Sequence, residues 1–78
     1  MKTLTFYASD SYEFQGKTIY TGLSPVALGA DRMAPFRDAN VFVKYDGQEI
    51  LCKVVNVETW TLKTIRAGLP ISLVVEPV

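Results

Sequence analysis

Few side chains in this sequence have the capacity for chemistry. Asp10, Glu13, Asp31 and Asp38 are carboxylates that could pair for general acid and base work. Cys52, the one thiol, could act as a nucleophile. There is no histidine. That removes imidazole catalysis, the usual triad for any of the four serines, and histidine metal sites. One cysteine makes neither an internal disulfide nor a thiolate cluster, and no zinc or calcium ligand spacing occurs. No metal and no cofactor is therefore expected. Gly16-Lys17-Thr18 lacks the upstream glycine of a phosphate-binding loop. The four acids read as solvated loop and strand residues, Lys63 and Arg66 read as solvated charges, and an enzyme is not expected.

The aromatic residues carry more information. Nine rings occur in 78 residues: Phe6, Tyr7, Tyr12, Phe14, Tyr20, Phe36, Phe42, Tyr45 and Trp60. Exposed rings on a β-barrel can stack the bases of single-stranded nucleic acid, provided that lysine or arginine stands nearby. Eight basic residues balance eight acidic ones, so no general basic surplus supports that use. Filling a core is the commoner role. Any rings left exposed suit a protein partner instead, and alternation points to Tyr7, Phe42 and Trp60.

These groups need elements to hold them. The composition is that of a folded domain, with 49% apolar and 21% charged residues. No apolar run approaches the roughly 20 residues of a membrane span. MKTLTFYASDS is not followed by an apolar stretch, so no leader peptide is expected. The lone cysteine fits a reducing cytoplasm.

The firmest local pattern is VFVKYDGQEILCKVV. Asp46-Gly47 between two apolar runs predicts a two-residue type I′ hairpin turn. The register follows: Tyr45 opposes Gln48, Lys44 opposes Glu49, Val43 opposes Ile50, Phe42 opposes Leu51 and Val41 opposes Cys52. Val41, Val43, Ile50, Cys52 and Val54 are then assigned to the core face. Cys52 on that face is an inert buried thiol. Lys44 and Glu49 pair on the outer face with Phe42 and Leu51.

Residues 2–8 alternate as a strand, Leu4, Phe6 and Ala8 against Thr3, Thr5 and Tyr7. In residues 12–21, Tyr12 and Phe14 alternate with Glu13 and Gln15, and Gly16 interrupts as a turn or bulge before a strand over 17–21. Ile71, Leu73 and Val75 mark a final strand bracketed by Pro70 and Pro77. Residues 22–37 form a long irregular connection with at most one helical turn, and Ser24-Pro25 reads as a cap and first helical residue. Residues 57–68 fit both strand and helix periods; strand to about Trp60, then a turn or short helix, is the reading adopted.

Several short motifs in this order resemble a known barrel. Gly16-Lys17-Thr18-Ile19-Tyr20-Thr21-Gly22 resembles the G-T-V-V-T-G strand in the second domain of elongation factor Tu, a small β-barrel shared across translational GTPases. Val57-Glu58-Thr59-Trp60 followed by Arg66-Ala67-Gly68 resembles its V-E-M-F … A-G stretch, and Ile71–Val75 stands where that domain has V-G-L-L-L. The sequence departs from the pattern at the G-D-x-V turn, which the longer Ala30–Asn40 stretch replaces. It departs again at Thr61, where the family has a basic residue. In that family the motif glutamate helps to hold the terminal adenosine of aminoacyl-tRNA. The resemblance therefore implies a ligand site at Glu58, Trp60 and Lys63.

The sequence thus predicts an all-β protein: one β-barrel domain over residues 1–78, with one long irregular connection. The expected function is non-enzymatic binding of a protein partner or a second copy, with Tyr7, Phe42 and Leu51 as the interaction surface. Binding of single-stranded nucleic acid through exposed aromatics is the alternative. Membrane association and metal binding are not expected.

Overall fold

The computed structural model describes residues 2–59 and 63–78. Five strands close into a barrel, β1 (Lys2–Phe14), β2 (Lys17–Leu23), β3 (Ala39–Tyr45), β4 (Gln48–Glu58) and β5 (Pro70–Pro77). Their order around the wall is β1-β2-β5-β4-β3. All neighbours are antiparallel except β1 and β3, which run parallel and complete the ring. Closure removes most of the strand edge that so apolar a chain would otherwise expose.

The β3–β4 hairpin has the expected register from Tyr45↔Gln48 to Val41↔Cys52. Asp46 (φ 51) and Gly47 (φ 76) both occupy the left-handed region that a type I′ turn demands. The same geometry recurs at Gln15 (φ 53) and Gly16 (φ 78), so Gly16 belongs to the β1–β2 turn. Val41, Val43, Cys52 and Val54 are buried as expected, together with Phe6, Tyr20, Ile71, Leu73 and Val75. Ile50 is not; it is exposed although it lies opposite Val43. Pairing of β4 with β5 begins only at Cys52↔Pro77, so Ile50 has a strand on one side alone.

Three further expectations are corrected. β1 does not end at residue 8. It runs to Phe14 through a bulge between Ala8 and Asp10, and the polar Ser9-Asp10-Ser11 segment is bent strand rather than loop. Ser24-Pro25 starts no helix. The Ser24 hydroxyl donates instead to the Val26 carbonyl at 2.6 Å, which satisfies a buried polar group. Among the described residues the single helical turn lies at Ala34–Phe36, where Pro35 sits in the first turn and needs no donor. Of the turn or short helix expected after β4, the turn is present at 67–68 and residues 63–69 hold no helix; β4 itself ends at Glu58, short of the expected Trp60, which lies outside the described residues.

The connection between β2 and β3 seals one end of the barrel. Leu28 and Ile65 exchange backbone hydrogen bonds of 2.7 and 2.8 Å, and Ser24 is bonded to Gly68 and Leu69. Leu28, Phe36 and Ile65 are all buried in the core cluster. Burying each such side chain contributes about 1.5–3 kcal/mol, so this connection is part of the core rather than an appendage. Arg32 fastens it further. Its guanidinium donates to the carbonyls of Gly29 at 2.9 Å and Lys63 at 2.5 Å.

Candidate functional site

Strand register lays the outer wall out as rows. On one side Thr5, Phe42 and Leu51 stand abreast on β1, β3 and β4, and Tyr7, Lys44 and Glu49 form the next row. The expected interaction residues Tyr7, Phe42 and Leu51 therefore share one face. They differ in exposure. Tyr7 is 65% exposed, whereas Phe42 and Leu51 are half-buried. The Lys44 ammonium sits 5.5 Å from the Tyr7 ring centroid and 3.7 Å from Glu49. Lys44 thus links Tyr7 to Glu49 along the row.

The bulge in β1 extends this exposed apolar surface sideways. Ala8 pairs with Gly22, which places Tyr7 beside Leu23, itself 58% exposed. Leu23 pairs with Pro70, and exposed Leu69 precedes it. Tyr7, Ala8, Ser9, Thr21, Gly22, Leu23 and Pro70 line a shallow, mostly apolar depression of about 420 Å³. Sequence alternation found Tyr7 here but missed Leu23 and Pro70, because the bulge brings Leu23 to Tyr7 and the β2–β5 ladder brings Pro70 to Leu23.

The opposite wall carries three rows across β1, β2, β5 and β4. Asp10, Thr21, Ser72 and Glu58 form the first; Tyr12, Ile19, Val74 and Asn56 form the second. Thr21 and Ser72 share a hydroxyl hydrogen bond of 2.9 Å. Ile19 and Val74 face outward yet are buried, so this wall has a small apolar centre of its own. In the third row Phe14 stands beside Lys17, which reaches Glu76 at 3.5 Å, and Glu76 pairs with Lys53.

The site implied by the barrel resemblance is only partly visible. Glu58 is exposed at the end of β4 and lines depressions beside Phe14 and beside Tyr12. Lys63 is exposed on the segment fastened by Arg32, and Trp60 lies outside the described residues.

Electrostatics do not favour phosphate. Lys44 beside Tyr7 and Lys17 beside Phe14 each face a carboxylate, and Arg37 is paired with Asp31. The Arg37 guanidinium donates to Asp31 and holds its carboxyl below the usual range. Cys52 is buried and desolvation pushes its thiol up, the reverse of what activates a nucleophile. Burial likewise raises the Tyr20 phenol, whose ring meets Tyr45 edge-on at 5.9 Å. Among the described residues no group of three acids or thiols gathers to hold a metal, and no helix is long and apolar enough to cross a membrane. No protein family, curated protein or solved structure matches this chain.

Proposed function

We propose that this protein is a non-enzymatic binding module of a reducing cytoplasm that docks a protein partner on the apolar surface around Tyr7 and Leu23. One observation carries the reading. The barrel already has a full core, yet Tyr7 and Leu23 stand mostly exposed around a single depression at the β1 bulge. Large apolar groups held outside on rigid strands around a concavity are what a partner's anchoring side chain requires. The motif-order likeness to the second domain of elongation factor Tu supports a barrel that binds rather than catalyses.

A photo-crosslinking residue in place of Tyr7, in the cells that make the protein, tests this. The expected result is one discrete adduct, whose purified partner binds the parent chain and binds the Leu23→Ser variant at least about tenfold more weakly. An adduct with a second copy identifies self-association through the same surface. Absence of any discrete adduct refutes the reading.

A further inference from the structure

β1 leaves β3 at Tyr7 and continues to Phe14 with β2 on one side. Among the described residues no strand pairs with its other edge over residues 9–14. Ser11 shows how that edge is oriented. Its backbone N–H donates to Asp10 Oδ1 at 2.8 Å, and it stands three places from Phe14↔Lys17, the hydrogen-bonded pair that closes a two-residue turn. Antiparallel alternation then turns the N–H and C=O groups of both Ser11 and Glu13 away from β2. Such an edge is a template for another strand, and the Asp10 carboxylate is a local substitute for the missing partner.

The side chains state what that strand would be. Asp10 and Glu13 lie on the edge, and no basic residue lies between Ser9 and Phe14. Lys17, opposite Phe14, is engaged with Glu76. Tyr12 and Phe14 are 46% and 61% exposed and begin two of the rows on the outer wall. A strand added beside β1 would extend those rows, with its apolar residues next to Tyr12 and Phe14 and its basic residues on the alternate face, next to Ser11 and Glu13. A second copy is a poor occupant, because self-pairing gathers four carboxylates on one two-stranded edge.

We propose that the free edge of β1 over residues 9–14 takes an extended peptide of alternating basic and apolar residues by strand addition. This rests on the reading of the protein as a binding module but uses a different surface.

The probe is an end-blocked octapeptide alternating lysine and valine, titrated into isotopically labelled protein at low salt. Saturable amide shifts confined to residues 9–14 are expected at up to about 1 mM peptide. Two analogues carry N-methyl groups on alternate residues, one in each phase. Only one phase of peptide N–H groups can face β1, so one analogue should bind about tenfold more weakly and the other should bind as the parent does. Ser11→Pro removes an edge donor without touching the ladder to β2 and should weaken the parent peptide similarly. No saturable shift, equal binding by both analogues, or equal binding by the glutamate-for-lysine peptide overturns the proposal. So does dimerisation of the free protein that Ser11→Pro abolishes. None of these outcomes affects crosslinking at Tyr7, so the two readings fail separately.

Discussion

Replacing Gly22 with alanine should remove most of the stability of this protein. Gly22 is buried on β2 where β1 bulges over it. A methyl carbon there would lie 2.2 Å from the Tyr7 carbonyl oxygen and 3.1 Å from Phe6 Cζ. Ordinary contact begins at 3.4 Å, so the shortfall against the carbonyl is 3.4 − 2.2, or 1.2 Å. That oxygen is backbone and cannot rotate aside. β1 and β2 must therefore separate at Ala8↔Gly22, and Phe6 must give by a few tenths of an ångström as well. Overpacking of this kind costs about 1–3 kcal/mol, and a lost ladder hydrogen bond adds about 1 kcal/mol. The reduced chain entropy of alanine returns only about 0.4–1 kcal/mol. These terms sum to a loss of about 1–3.6 kcal/mol, and a 1.2 Å overlap with rigid backbone puts it in the upper part, about 2–3.6 kcal/mol, against the roughly 3–5 kcal/mol that one small core supplies. Urea unfolding followed by circular dichroism measures it, and Tm should fall by about 10–20 °C. Gly29→Ala is the control, since a methyl there meets nothing within 4 Å, and it should stay within about 0.5 kcal/mol of the parent. A Gly22→Ala protein equally close to the parent, with an unchanged m-value, would refute the close-approach argument.

Other perturbations have equally definite outcomes. Burial raises the Cys52 thiol above its ordinary 9.0, so the fold holds that proton more tightly than the unfolded chain does. The associated stability is complete below about pH 9 and is lost above it, so the urea midpoint should hold constant up to about pH 9 and fall as the pH is raised further. At pH 8 an aromatic disulfide reagent should modify Cys52 only on unfolding. Gly47→Ala forces a methyl onto a residue at φ 76 and should cost about 1 kcal/mol in thermal unfolding, leaving the β-sheet spectrum unchanged. Arg32→Ala cuts the ties to Gly29 and Lys63 and should cost about 1–2 kcal/mol, read as faster hydrogen exchange at the Leu28 and Ile65 amides. Because lysines beside the exposed rings already face carboxylates, mixed single-stranded DNA or RNA should leave Trp60 fluorescence unchanged. Salt-sensitive quenching would revive the nucleic-acid alternative.

The legible parts of the sequence were those with local causes. Asp46-Gly47 specifies a turn of defined length, and a defined turn specifies which residues oppose each other. Lys44–Glu49 and the buried Cys52 follow from it. At Gly16 the sequence left turn and bulge open, because Gln15 takes a left-handed conformation that its side chain does not announce. The bulge was obscured because Ser9-Asp10-Ser11 has the composition of a loop, while its strand pairing comes from β2 across the sheet. Ile50 satisfied the alternation but stands where the barrel wall thins to one neighbour. The candidate site lies at the level least visible in the sequence. Tyr7 was anticipated by alternation, but Leu23 and Pro70 meet it only through the bulge and the β2–β5 ladder.

The place of β5 in the wall also shapes how the chain comes to be folded. It follows the other four strands in chain order yet stands between β2 and β4, contributing Ile71, Leu73 and Val75 to the core. Synthesis proceeds at about 5–20 residues per second. Until residues 70–77 emerge from the ribosome, β2 and β4 lack their shared neighbour and the ring cannot close. The β1–β2 and β3–β4 hairpins can form early from their own turns, but the β1–β3 ladder and closure through β5 wait on sequence-distant pairing, which is slow. A chain stalled before Pro70 therefore presents two apolar strands, each with one edge open, a substrate for chaperones and proteases rather than a smaller version of the protein.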